Sequence, residues 1–149
     1  MRALSRRAAL ALGLGTAATL ASARRARATP SEADEAIAKF TGRKQPELGR
    51  ISIDLPEIAE NGTAVPLTVA VESPMTTADR ITDVLVVADG NPNPRVATFQ
   101  FTPMSGRAVV ATRIRLNATE NVIVVARTVD GRFLTARKEV KVTIGGCGG

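Results

Sequence analysis

The spacing of apolar residues divides the chain into a short helical part and a long part with a period of two. In "TPSEADEAIAKFTG", residues 29–42, Ala33, Ala36, Ile37 and Phe40 recur at helical spacing and predict one short amphipathic helix with these four as its buried stripe. Thr29 is placed to cap its first turn, Pro30 suits the first helical position, Glu32 completes a capping box, and Gly42 stops the run.

From Arg50 onward the period falls to two, and short β-branched runs alternate with turn signals. Ile51, Ile53 and Leu55 define a first strand, and Val65, Leu67, Val69 and Val71 a second. "ITDVLVVA", from Ile81, is almost continuously apolar and predicts a buried third strand. "RVATFQFT" sets Ala97, Phe99 and Phe101 on one face; "RAVVATRIRL" sets Ala108, Val110, Thr112, Ile114 and Leu116 on one face. "NVIVVARTV" and "RFLTARKEVKVTI" are joined across Asp130-Gly131, a two-residue hairpin signal. The segments Asn91-Pro92-Asn93-Pro94 and Thr102-Pro103-Met104-Ser105-Gly106 read as loops between strands. About seven strands in roughly a hundred residues is the count of an immunoglobulin-like sandwich. The expected class is therefore all-β: an immunoglobulin-like antiparallel sandwich with a short N-terminal helix and a flexible C-terminal arm. The antibody-type cysteine pair and tryptophan are absent from the sequence, so the expectation concerns architecture alone.

Charge changes the picture at the N-terminus. The net charge is +6, yet six of the twenty basic residues and none of the fourteen acidic ones lie in residues 1–28, so the remainder carries fourteen of each. The basic excess belongs to a leader. "MRALSRRAALALGLGTAATLASARRARA" has a basic start, an apolar stretch at residues 8–23, and Ala26-Arg27-Ala28 as a small-residue cleavage site. The apolar stretch is too short and too rich in Ala, Gly and Thr for a good membrane span. Ser5-Arg6-Arg7 followed by Leu10 resembles a twin-arginine export signal, with Ala9 where that pattern prefers phenylalanine. The expected organisation is residues 1–28 as export signal, 29–144 as the sandwich with its helix, and 145–149 as the arm. The mature chain then begins at Thr29 in the periplasm, with neither a nucleic-acid nor a membrane partner, and its single cysteine has no intramolecular disulfide partner there.

The residue inventory restricts the chemistry. Without histidine or tyrosine the usual acid–base groups near neutral pH are missing, and a Ser-His-Asp or Cys-His arrangement is impossible. One cysteine and no histidine do not make a zinc or iron–sulfur centre, so neither metal nor cofactor is expected. Asp54, Glu57 and Glu60 cluster near the end of the first strand and read as a solvated turn rather than a calcium loop. Asn117-Ala118-Thr119 fits a glycosylation sequon but, behind a bacterial-type leader, reads as a turn.

That leaves the thiol of Cys147, in the terminal "IGGCGG". Four of the twelve glycines flank it: Gly145, Gly146, Gly148 and Gly149. The cysteine is third from the end, whereas prenylation requires the fourth position. The five residues after Ile144 span about 17 Å when fully extended, and glycine adds no bulk. Such an arm suits entry into a narrow channel. The sequence around Cys147 offers no adjacent cation or helix N-terminus to lower its pKa, so its reactivity is expected to come from the enzyme that receives it. The competing expectation is an exported immunoglobulin-like binding module whose tail cysteine cross-links it to another chain.

"IDLPEIAENGTAVPLTVAVESPM" (residues 53–75), "NPNPRVATFQFTPMSGRAVVATRIRL" (residues 91–116) and the terminal "GGCGG" together resemble the SoxY family, sulfur-carrier subunits of the bacterial thiosulfate-oxidising Sox system. The resemblance implies an immunoglobulin-like domain in a heterodimer with a SoxZ-like subunit. It further implies Cys147 as the covalent attachment point, the four flanking glycines as its arm, and no catalytic residue on the chain itself. A haem-containing SoxAX-like enzyme, a SoxB-like hydrolase and, where present, a sulfane dehydrogenase are the implied transient partners. "PEIAENG" and "SPM" are implied surface loops without assigned roles.

Overall fold

The computed structural model describes residues 31–145. A helix, α1 (Glu32–Thr41), precedes nine strands: β1 (Glu47–Leu48), β2 (Ile51–Asp54), β3 (Ile58–Ala59), β4 (Val65–Val71), β5 (Ile81–Ala88), β6 (Arg95–Gln100), β7 (Ala108–Ile114), β8 (Glu120–Thr128) and β9 (Phe133–Val142). All seven expected strands are present. The two additions, β1 and β3, are two residues long and pair in parallel with the two ends of β9, so the sandwich is not purely antiparallel. Strands that short carry no periodicity, and nothing in the sequence pattern marks them.

One sheet runs β1-β9-β8-β5-β6, with β3 also on β9; the other runs β2-β4-β7. Their facing sides enclose the main core, in which Leu67, Val69, Val84, Val86, Leu116, Val122 and Val124 are fully buried. The uninterrupted apolar runs of β5 and β8 have a simple cause. Val84, Val86, Val122 and Val124 face the second sheet, while Leu85, Val87, Ile123 and Val125 face the helix. Both surfaces of these central strands are covered, and each such side chain contributes about 1.5–3 kcal/mol by leaving water.

The helix lies over that second surface with the predicted stripe inward. Ala33 is buried, Ala36, Ile37 and Phe40 are half-buried, and Phe40 meets Phe133 edge-on with ring centroids 5.9 Å apart. Its start differs from the expected one. Ser31, not Thr29, is the N-cap: its Oγ accepts the Asp34 amide at 3.2 Å, and the helix begins at Glu32. Ser31 satisfies a free first-turn amide as well as a threonine would, and Ser31 and Asp34 have the required spacing. Gly42 ends the helix in the left-handed conformation, as expected.

Two further details depart from the pattern. The β5–β6 register shifts between Val86 and Val87, where Ala97 and Arg95 are the successive partners, so Val96 is the extra residue of a bulge. Val96, itself half-buried, consequently packs against the core with Phe99 and Phe101, whereas the equally half-buried Ala97 does not. The last hairpin has four residues between its strands, 129–132, instead of two. Thr128 donates its amide to the Arg132 carbonyl at 3.0 Å, and Gly131 has φ of 82°. The Asp130 carboxylate accepts from Arg132 Nε at 2.7 Å and from the Thr128 hydroxyl. These bonds, the one from Thr128 foremost, hold its carboxyl down at a pKa of about 2.

Candidate functional site

The predicted carrier residues lie at the chain's end, so the site visible in the structure is the place where the chain leaves the sandwich. Cys147, Gly146, Gly148 and Gly149 lie outside the described residues, as do the leader, Thr29 and Pro30. Gly145 is the last described residue, and it is held.

Two loops grip the segment from Lys141 to Gly145. On one side is the stretch from Glu57 to Gly62. Lys141 donates its amide to the Glu57 carbonyl at 2.9 Å, and Thr143 to the Ala59 carbonyl at 3.1 Å. The Thr143 hydroxyl donates to the Glu60 carbonyl at 2.9 Å, and Gly62 donates its amide to the Ile144 carbonyl at 2.8 Å. These contacts continue the β3–β9 pairing beyond the last strand residue. Of the acidic cluster, then, Glu57 and Glu60 contribute main-chain carbonyls to this exit. Their carboxylates, which dominate the sequence reading, make no part of it.

On the other side is the turn between β7 and β8. Thr119 Oγ1 accepts the Val142 amide at 3.0 Å. The carbonyl of Asn117 lies so close to Gly145 that a Cβ there would overlap its oxygen and come within 3.1 Å of its carbon. No side chain fits without moving the backbone, which gives Gly145 a reason to be glycine separate from flexibility. The sequon residues 117–119 thus form a turn, as expected, with two of them against the exit. The two loops also touch each other, because the Leu116 amide donates to the Gly62 carbonyl at 2.8 Å. Gly62 is therefore hydrogen-bonded to both the exit and the facing loop.

The turn itself is fixed from below. Asn117 shares its amide between Glu120 Oε1 and Asn91 Oδ1, each at 2.9 Å, and Asn91 Nδ2 donates to the Arg115 carbonyl at 2.8 Å. In the sequence Asn91 is an ordinary loop residue, Gly62 belongs to the "PEIAENG" loop without an assigned role, and Glu120 is not singled out. Their signals, a turn motif and a charge at the start of an apolar strand, are legible, but only the topology brings them together under one end of β9. The exit is also apolar in part: Ile144 is 66% exposed, and Ile58 of β3, paired with Lys141, is exposed as well.

Fold and exit together define an immunoglobulin-like sandwich domain that carries its one cysteine on a short C-terminal extension. The chain belongs to the SoxY family: it matches sulfur oxidation protein SoxY over residues 37–147, a span that ends on Cys147. Among solved structures it is similar to the sulfur carrier protein SoxY from Chlorobium limicola f thiosulfatophilum, with 37% identity over 78% of this chain and 100% of that one, at a TM-score of 0.62. Superoxide reductase (neelaredoxin) from Ignicoccus hospitalis is 19% identical over 63% of this chain and 80% of its own, at a TM-score of 0.57. Superoxide reductase from Nanoarchaeum equitans is 12% identical over 64% of this chain and 100% of its own, at a TM-score of 0.55. These last two likenesses concern the fold. No curated protein gives a significant match.

Proposed function

We propose that this chain is a periplasmic sulfur carrier that holds thiosulfate-derived intermediates covalently on Cys147 and presents them to separate enzymes. The observation that carries the reading is that the SoxY match runs through residue 147, the chain's only cysteine, two positions beyond the held Gly145. The similar Chlorobium protein is itself described as a sulfur carrier.

The chemistry asks little of the carrier. Joining the Cys147 sulfur to the outer sulfur of thiosulfate forms an S–S bond, releases the thiol proton and removes two electrons, which leave through a haem-containing SoxAX-like enzyme. A SoxB-like hydrolase then adds water across the terminal sulfone, releasing sulfate and leaving a persulfide. A sulfane dehydrogenase, in systems that have one, oxidises the outer sulfur to a sulfonate, taking the oxygens from water and passing the electrons to a redox acceptor protein, before a second hydrolysis releases sulfate and restores the thiol. Covalent attachment keeps a small anion from diffusing away between these steps. The carrier works as a heterodimer with a SoxZ-like subunit, and the pair crosses the membrane folded on the twin-arginine signal of this chain.

Cys147→Ser tests the attachment: the variant should fold and bind its partner normally but turn over no thiosulfate, and turnover without the thiol would refute the reading. Replacing Arg6 and Arg7 by lysine tests the route. Both subunits should then remain in the cytoplasm, and a partner subunit that still reached the periplasm would contradict joint export.

A further inference from the structure

We propose that Glu120 is a positioning residue for the carrier arm. Through Asn117 it sets the turn that lies against Gly145, so that the chain leaves the domain at one place and in one direction. This inference rests on the reading of Cys147 as the carrier thiol.

Glu120 is 4% exposed, and its carboxylate accepts two main-chain amides from different loops: Gly90 at 2.7 Å and Asn117 at 2.9 Å. A buried carboxylate is costly unless both oxygens are satisfied, and here both are. Gly90 makes room for it, because a Cβ at that position would come within 2.9 Å of Glu120 Cβ and 3.1 Å of Oε2. A buried acid with a glycine opposite it is more than β8 needs in order to pair. What it secures is the turn at residues 117–119. From that turn the Asn117 carbonyl bears on Gly145 and Thr119 Oγ1 takes the Val142 amide. The neighbouring Leu116 amide reaches Gly62, whose own amide holds Ile144. The path from Glu120 to the arm is thus one of consecutive contacts.

The consequence for reach is direct. Cys147 is two positions beyond Gly145 and three beyond Ile144, so its Cα lies within about 7 Å of the former, against about 10 Å if the chain were free from Ile144 onward. An enzyme that receives the thiol must then dock close to the exit, and small displacements of the root translate into misplacement of the sulfur.

The test uses the full mature chain with its partner subunit, as wild type, Glu120→Gln, Gly145→Ala and the double variant. The glutamine has the same shape but can accept only one of the two amides, and the alanine Cβ overlaps the Asn117 oxygen. Three quantities are read: alkylation of Cys147 by a small reagent, enzyme-dependent loading with thiosulfate, and amide exchange at Gly62 and Val142 relative to core amides. Alkylation should stay within about twofold, since the thiol remains free, while loading should fall about tenfold or more in each single variant. Because both act through Asn117, the double variant should load no more slowly than Gly145→Ala alone. Exchange at Gly62 and Val142 should rise in Glu120→Gln by more than at core amides. Normal loading by both single variants, with Cys147→Ser inactive, overturns the positioning role and leaves the carrier reading standing. Additive losses in the double variant overturn it too, because they would mean two independent effects. Should Glu120→Gln fail to fold, Gly145→Ala alone decides, and loading at the wild-type rate overturns the proposal. Loading of Cys147→Ser would instead defeat the carrier reading beneath it.

Discussion

Leu116→Ala would test whether the exit is anchored in the core, because Leu116 is the last core residue before the turn that bears on Gly145. Its side chain is 0% exposed and lies in the cluster between the sheets, and its amide donates to the Gly62 carbonyl. Truncating a fully buried leucine removes its burial energy and leaves a cavity, at a cost of about 2–5 kcal/mol. The packing here is contributed by both sheets, which limits collapse into the space, so a central value of about 3 kcal/mol is appropriate. For a domain of this size that corresponds to a fall in Tm of about 10 °C. Val109→Ala is the control on β7, the strand that leads to Leu116: Val109 is 40% exposed on the outward face, and its truncation should stay within about 0.5 kcal/mol. Urea titration of both variants, with an unchanged m value as the check on two-state behaviour, measures the difference. A loss below about 1 kcal/mol for Leu116→Ala would refute the placement of this residue as an anchor.

Two further outcomes are expected. Phe40→Ala should destabilise the fold by about 2 kcal/mol, since Phe40 is half-buried and adds an aromatic contact with Phe133, and a urea midpoint equal to wild type would contradict the docking of α1. Asp130 has its carboxyl held at about 2 by Thr128 and Arg132, below its unfolded value of about 4, so its contribution is present above pH 4 and lost as pH falls towards 2; Asp130→Asn should flatten stability across that window, and parallel pH curves for the two proteins would contradict the hairpin network.

The elements were legible where they were long. The alternation of Val65, Leu67, Val69 and Val71 and the continuous run from Ile81 translate into strands buried on one face and on two, because side-chain period and burial are the same fact. The bulge at Val96 was not legible, since a single extra residue alters which face is buried without altering composition. Nor were β1 and β3, whose pairing with β9 is a tertiary event. The candidate site divided in the same way. Cys147 stands out by residue type alone, whereas Gly62 lies more than fifty residues of chain from the turn that holds Asn117 and Glu120, and only the fold brings the two together. In the sequence Gly145 is the first link of an arm; in the fold it also lies against the Asn117 carbonyl, where no side chain fits.

The central claim is that Cys147 bears the substrate, and the intact mass of the native protein tests it most directly. Protein recovered from cells oxidising thiosulfate, without reductant, should show additions of sulfur and of two sulfurs with three oxygens, all confined to the peptide containing Cys147 and all removed by dithiothreitol. A single unmodified mass under those conditions, or a stable disulfide-linked dimer in place of the adducts, would contradict the carrier account.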